Sequence, residues 1–283
     1  MSTPFSVPAR GWLFPAGLAI AFLGSMTGVG GGLFAVPLLH YVWRFELKSA
    51  IATALVLVGT NALFATVAEL FHPNNALRLD LFVALALGTL VGNQLGYAAV
   101  RRIAVRRLKQ VFVFVLAIAA ARLVLSAPAA AAIAGTAAPE LGPRALGIAV
   151  GLGVGGGFVA PLLGVGGGLV MVPGLLLGLP VLGFNAVRAA SMATSVISAA
   201  RSAWLHHGER RVRLAEGAWL GSGAVFGSIA GVWVAHGEGF EAIGRPLLAA
   251  ILILVAVRFA REAWGAAPPT VATTAVSPDV EKP

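Results

Sequence analysis

The chain of 283 residues contains no cysteine and unusually few charged residues. The absence of cysteine excludes disulfide bonds, thioether-linked haem and metal sites built from thiolates. Charged residues make up 11% of the sequence, hydrophobic residues make up 58%, and the mean hydropathy is +0.90. Soluble domains carry about 25% charged residues, so this composition excludes an ordinary soluble fold. It predicts an all-α polytopic membrane protein.

Long apolar segments support this class, because a helix needs about 20 residues to cross ~30 Å of hydrocarbon. The predicted full spans are Ser49–Phe71, Asp80–Val100, Leu108–Leu125, Ala186–His206, Leu214–Ala235 and Arg245–Arg261. The formal net charge is +9, but the basic residues cluster in short loops, which is typical of cytoplasmic loops of membrane proteins. The expected surroundings are therefore a lipid bilayer, and no nucleic acid is expected as a partner.

A glycine-rich motif occurs twice in the sequence. Residues 28–39 read GVGGGLFAVPLL and residues 164–175 read GVGGGLVMVPGL, with nine of twelve positions identical at a spacing of 136 residues. Small residues at four-residue spacing let helices approach closely in lipid. Two such sets also recur, namely Gly88, Gly92 and Gly96, and then Gly223, Gly227 and Gly231. The chain is therefore predicted to contain two homologous repeats.

The basic residues predict the orientation of the repeats. The loop after the second span holds five of them between Arg101 and Lys109, whereas the equivalent loop, Gly237–Gly244, holds none. In the second half the basic loop, which includes Arg211, comes before the equivalent span instead. Equivalent loops on opposite sides indicate inverted repeats. Both termini and the Arg101–Lys109 loop are predicted to be cytoplasmic. The alternative is eight crossings with parallel repeats.

Each predicted repeat has a glycine-broken helix, either re-entrant or discontinuous, followed by three full spans. An inversion requires an odd number of crossings in each half, which a re-entrant segment plus three spans provides. The C-terminal segment is rich in proline, threonine and alanine, which predicts disorder. The predicted divisions are a first transmembrane repeat at 1–126, a linker at 127–144, a second transmembrane repeat at 145–264 and a disordered tail at 265–283.

The glycine motif is the first candidate site. Three consecutive glycines cannot hold a helix, so their backbone amides lose intrahelical partners and must be buried in protein or face a polar cavity. The short helices that begin near Leu33 and Leu169 would point their positive ends into these breaks, which favours an anion. The alternative is that the glycines only allow tight helix crossing. Pro37 and Pro173 are predicted to break or gate the short helices. The candidate binding glycines are Gly30, Gly31, Gly32, Gly166, Gly167 and Gly168.

Polar residues within the spans are the second group of candidates. Arg201 lies in an apolar segment, where an arginine often marks a substrate path, although it could equally extend to the membrane surface. Asn61 could bind substrate oxygens or bridge helices. Thr53, Thr194 and Ser195 could line the cavity, or their hydroxyls could bond their own backbone.

Several other kinds of site are not expected. Glu69 lies close to a helix end, which disfavours a carboxylate proton relay. His206 and His207 have no partner at metal-ligand spacing, so no metal site is predicted. No nucleophile lies beside a deeply placed base, so no enzyme activity and no cofactor are expected.

The repeated GVGGG followed by VPxL, with Ala-Thr-Ala at 52–54 and Ala-Thr-Ser at 193–195, resembles the TauE/SafE sulfite exporter family up to about residue 264. The resemblance implies a multi-pass permease of the bacterial inner membrane that moves sulfite, organosulfonates or related small anions. An anion channel and a non-transporting assembly factor remain alternatives. The direction of transport, coupling to H⁺ or Na⁺, and assembly into a homo-oligomer stay open.

Overall fold

The computed structural model describes residues 9–100, 110, 113–114, 117, 120–121, 140–207 and 211–264. Helices without strands make up the regular structure of this part of the chain. A 3₁₀ turn, Arg10–Trp12, precedes the first helix, and a π-helical turn, Leu38–Val42, follows the second. The α-helices are α1 Leu13–Thr27, α2 Gly32–Pro37, α3 Leu47–Phe71, α4 Leu79–Val100, α5 Pro143–Leu163, α6 Gly168–Gly178, α7 Phe184–His207, α8 Leu214–Ala235 and α9 Phe240–Trp264.

Five of these helices are long and apolar enough to cross a membrane. They are α3, α4, α8 and α9, as predicted, together with α5, which is the first part of the second repeat's glycine-broken helix. The predicted span Ala186–His206 forms a helix, α7, but it is not among the five. Its many polar side chains, such as Ser191 and Ser198, lower its hydropathy. They are buried, so they face protein rather than lipid. The predicted span Leu108–Leu125 lies largely outside the described residues.

Glycines join the two repeats through two equivalent helix pairs. A side chain at Gly88, Gly92 or Gly96 of α4 would collide with the backbone of α5 around Val150, Val154 and Phe158 in turn. Side chains at Gly223, Gly227 and Gly231 of α8 would collide with α1 in the same order along the chain. Each pair is therefore parallel, and its backbones lie too close together for any residue larger than glycine.

The remaining contacts fix the directions of the other helices. Gly217 and Gly221 of α8 face Val56 and Thr60 of α3 in rising order, so α3 and α8 run the same way. On α7, by contrast, Arg188 binds Glu69 near the end of α3, whereas Ala199 lies opposite Gly59 in its middle. Helices α3 and α7 are therefore antiparallel.

Helix α4 runs beside α7 in the same direction, because Asn93 bonds Ser198 and, further along both helices, Tyr97 bonds the carbonyl of Leu205. Helices α1, α3 and α8 consequently run in one direction, and α4, α5 and α7 run in the other. Each helix of the first repeat runs opposite to its counterpart in the second, since α1, α3 and α4 correspond to α5, α7 and α8. The repeats are inverted, and the alternative of parallel repeats is wrong.

The interrupted helix of each repeat is re-entrant. Helices α1 and α3 run the same way, so the chain must return between them. Helix α2 makes this return. Its first residue, Gly32, lies against Val58 in the middle of α3. Val36, one turn later, lies beside Gly164, and Gly164 contacts Ile51 near the start of α3. Helices α5 and α6 repeat the arrangement beside α7. With these directions, the ends of α4 and α7 lie at the same end of the molecule.

Candidate functional site

The two glycine breaks meet in the interior of the protein. A side chain at Gly32 would collide with the carbonyl oxygen of Gly164, and one at Gly168 would collide with that of Gly28. Three glycines in each break have left-handed backbone, with φ between 71° and 93°, which other residues rarely adopt. These six are Gly28, Gly30, Gly31, Gly164, Gly166 and Gly167. The breaks therefore require glycine both for backbone conformation and for close approach.

The first break carries hydrogen-bond donors without partners. Within the described part of the chain, the amide of Gly31 donates no hydrogen bond. Both amide atoms of Asn61 are fully buried and also lack a partner. The Gly31 nitrogen and Asn61 Nδ2 lie 2.7 and 2.9 Å from the point that a Cβ on Gly24 would occupy. Two unsatisfied donors are thus close together beside the break, where an isolated buried polar group is costly.

The second break is similar. Among the described residues, the amides of Gly166 and Gly167 have no acceptor, and Ser195 Oγ is buried without a partner. Ser195 Oγ lies 3.7 Å from the Cβ position of Gly166, and Val58 of α3 lies against the same point. Ser191 Oγ donates to the carbonyl of Gly28 at 2.9 Å and so ties α7 to the first break.

The other predicted residues occupy different surroundings. Thr53 is buried, and its Oγ1 accepts a hydrogen bond from the backbone amide of Arg213. Thr194 Oγ1 donates to the carbonyl of Ala190 in its own helix. Arg201 bonds Gln94 and stacks on Trp204 in an outer crevice, which it lines with Leu90, Val91 and Leu95. The structure thus brings Asn61 and Ser195 to the breaks, and places Arg201 in a crevice instead.

The two prolines differ in effect. Pro37 is the last residue of α2, and the chain continues as the π-helical turn. Pro173 lies inside α6, which continues as α-helix to Gly178. A proline removes one backbone donor from a helix, and only the first repeat responds with a change of helix type.

A buried ionic cluster was missed by sequence reasoning. Arg188, 1% exposed, donates to Glu69 Oε2 at 2.6 Å, and His236 Nε2 lies 2.9 Å from Glu69 Oε1. His72 stacks on His236 with ring centroids 4.0 Å apart. Glu69 is therefore 1% exposed despite lying near a helix end, which removes the reason for discounting it. An arginine inside the predicted span at 186–206 was the available signal.

The cluster has the chemistry of an ion pair rather than of a metal centre. No arrangement of three histidine, aspartate or glutamate side chains that could hold a metal ion occurs among the described residues. Glu69 also accepts a hydrogen bond from the amide of Ala76, so that both of its oxygens are used. The carboxylate consequently joins the ends of α3 and α8 to the start of α7.

A sequence model of one protein family, described as sulfite exporter TauE/SafE, matches residues 3–123 and 148–279. The chain belongs to this family. The match falls into two segments, one in each structural repeat. Family membership and the five long apolar helices make the chain a multi-pass membrane protein.

Two curated relatives share part of the sequence. Both are named probable membrane transporter protein MamO, one from Paramagnetospirillum magneticum and one from Magnetospirillum gryphiswaldense. The first is 32% identical over 116 residues, which is 39% of this chain and 18% of the relative. The second is 31% identical over 113 residues, 38% of this chain and 18% of the relative. The matched part is thus less than a fifth of either relative's length. No solved structure matches the chain.

Proposed function

We propose that this protein is a secondary transporter of small anions in the bacterial inner membrane, and that its substrate is sulfite, an organosulfonate or a related sulfur oxyanion. The family description supports the substrate class, and the names of the two relatives support membrane transport. The observation that carries the proposal is the pair of glycine breaks, where two buried side chains and several backbone amides have no partner among the described residues.

The chemistry of these groups suits an oxyanion. Backbone amides, the Asn61 amide and the Ser195 hydroxyl are neutral donors, and fixed donors in a site without water replace the hydration of an anion. An oxyanion offers several acceptor oxygens to the donors that lie beside the two breaks. An empty site leaves those donors unsatisfied, whereas a bound anion satisfies them, so the binding energy includes relief of this cost.

Inverted repeats support alternating access around this site. The breaks lie where the two halves meet, and rocking of one half against the other would expose them to each side in turn. The test is flux into liposomes with a panel of sulfite, thiosulfate, sulfate, sulfonates and carboxylates. We expect saturable flux that is selective for the sulfur anions and accumulation of substrate against its gradient. Flux without accumulation under any ion gradient would favour an anion channel, and absence of flux would contradict the proposal.

Two variants at the breaks sharpen this test. Asn61→Leu and Ser195→Ala each remove a buried polar group that lacks a partner, so neither should lower the free energy of unfolding. Each should nevertheless lower sulfite flux by about tenfold or more, which corresponds to the loss of one hydrogen bond to a charged group. The matched control is Ser228→Ala in α8, because this buried hydroxyl bonds its own helix at Val225. Full flux in both break variants would contradict the site.

A further inference from the structure

Arg188 lies directly beside the first glycine break. Its Cα and Cγ are 3.1 and 3.3 Å from the point that a Cβ on Gly28 would occupy. Its Nη1 donates to the carbonyl of Ser25, in the last turn of α1, at 3.4 Å. The guanidinium therefore faces the turn of backbone at which α1 enters the break, and no side chain on Gly28 separates the two.

Only one of the two terminal nitrogens of the Arg188 guanidinium, Nη2, binds the Glu69 carboxylate. Nη2 binds Glu69 Oε2 at 2.6 Å and lies 3.1 Å from His236 Nε2, while Nε donates to Asn185. The Glu69 contact is therefore single rather than the paired contact that a carboxylate commonly makes with both arms of arginine. Nη1 has two N–H groups and makes one long bond, to Ser25. The arm beside the break is the less satisfied arm.

The counter-ion of Arg188 is a single carboxylate, that of Glu69. The titratable and charged groups of the cluster are Glu69 at the end of α3, His72 in the following loop and His236 after α8. Glu69 is the acid that balances Arg188, and a bound oxyanion carries the same charge and the same kind of acceptor. If the oxyanion binds Nη1, the buried arginine no longer depends on Glu69 alone, because an unpaired buried charge is what the protein must avoid.

The geometry points to Arg188 as a substrate-binding residue that receives the anion's oxygen on Nη1, with Glu69 as a resident counter-ion that competes with the substrate for the guanidinium. This inference rests on the proposed function, because it requires an anion at the breaks. It also makes the two breaks differ in charge, since among the described residues Ile51 occupies the place beside Gly164 that Arg188 occupies beside Gly28.

The experiment uses the full chain and sulfite as the probe, with flux in liposomes and sulfite-induced thermal stabilisation in detergent as readouts. Arg188→Gln should lower both stability and flux, the latter by about tenfold or more. Glu69→Gln should increase the apparent affinity for sulfite several-fold, because the competitor loses its charge. Sulfite should consequently stabilise Glu69→Gln more than it stabilises the wild type.

The double variant Glu69→Gln, Arg188→Gln separates binding from structure. It removes both buried charges together, so its stability should return towards that of the wild type, because neither ion is left unpaired. Its sulfite flux should stay as low as in Arg188→Gln. Recovery of flux together with stability would mean that the pair only holds the fold, and would overturn the inference.

Two further results complete the test. If the double variant does not fold, Arg188→Lys decides, because lysine keeps the charge but lacks the second arm of the guanidinium. A several-fold loss of sulfite affinity in Arg188→Lys supports the inference, and unchanged affinity overturns it. If the wild type neither transports nor binds any anion of the panel, the proposed function itself fails. If the wild type transports and Glu69→Gln shows no gain in affinity, only the further inference fails.

Discussion

The two repeats of this protein are alike in packing and unlike in charge. Gly17 of α1 meets the backbone of Leu220, and its counterpart Gly153 of α5 meets the backbone of Leu85, the counterpart of Leu220. At the glycine breaks and in the glycine-lined helix pairs, too, equivalent glycines of the two halves make equivalent contacts. The framework thus depends on backbone contacts that both halves must supply, since a glycine contact in one half has its equivalent in the other.

The polar chemistry departs from this symmetry. At one end of the molecule, Glu69 binds Arg188, and Arg188 donates to the carbonyl of Ser25. In the second repeat, His206 stands at the position of Glu69 and Pro161 at the position of Ser25. His206 Nε2 lies 3.1 Å from the carbonyl oxygen of Pro161. An ion pair therefore holds one of these ends, and a hydrogen bond from an imidazole holds the other. A symmetric framework can carry different chemistry at its two ends, because the side chains there do not take part in the close backbone contacts.

The opposite orientation of the two repeats in the membrane has the most direct test. Arg44 and Pro180 occupy equivalent positions, 136 residues apart, and both are exposed. Arg44→Cys and Pro180→Cys should react with a membrane-impermeant thiol reagent from opposite sides, because inverted counterparts face opposite surfaces. The chain has no native cysteine to interfere. Labelling of both variants from the same side would contradict the inversion.

The next largest effect tests the difference between the two ends. Glu69→Gln leaves Arg188 as a buried charge without its counter-ion, and should lower the free energy of unfolding by about 3–5 kcal/mol. His206→Gln, at the equivalent position, should cost about 1 kcal/mol, because the contact that it disturbs is a hydrogen bond to a carbonyl. Thermal unfolding in detergent measures both variants. Equal losses would mean that the two ends do not differ energetically.

The glycine-lined helix pairs should respond equally in the two halves. Gly92→Ala and Gly227→Ala each force a methyl group onto the backbone of the neighbouring helix, at Val154 and Leu18, and should cost about 1–3 kcal/mol. The matched control is Gly151→Ala in α5, where no atom lies within 4 Å, and the helix should gain about 0.4–1 kcal/mol. Thermal unfolding compares the three variants. A loss confined to Gly92 or to Gly227 would show that only one helix pair is tight.

The smallest effect concerns pH at the charged end. Burial, and then the charge of His236, lowers the pKa of His72, in the loop after α3, below its ordinary value of 6.5. Between the two pKa values the unfolded chain binds more protons at His72 than the folded protein does. This contribution to stability is therefore complete above pH 6.5 and decreases as the pH falls through the folded pKa. His72→Phe should weaken the loss of thermal stability on acidification, and an unchanged pH profile would contradict this.

The sequence predicted the framework well for identifiable reasons. The span Leu214–Ala235 coincides with α8, and the predicted Ser49–Phe71 differs from α3 by two residues at its start. Such helices can be read from sequence because lipid demands long apolar stretches. The repeated glycines predicted both the breaks and the helix pairs. Of the polar candidates, Asn61 and Ser195 lie at the breaks, whereas Arg201 lies in an outer crevice with Gln94.

The amino-acid sequence alone established the class of protein and the duplication, and the alternation of its basic loops favoured inverted repeats, which the helix directions then decided. These properties follow from composition and periodicity, which depend on local sequence. The tertiary structure alone decided that Glu69, Arg188 and His236 form one cluster, because these residues lie 48 to 167 positions apart in the chain. Only the packing of three helix ends brings them together, and their charges can be buried only because they meet.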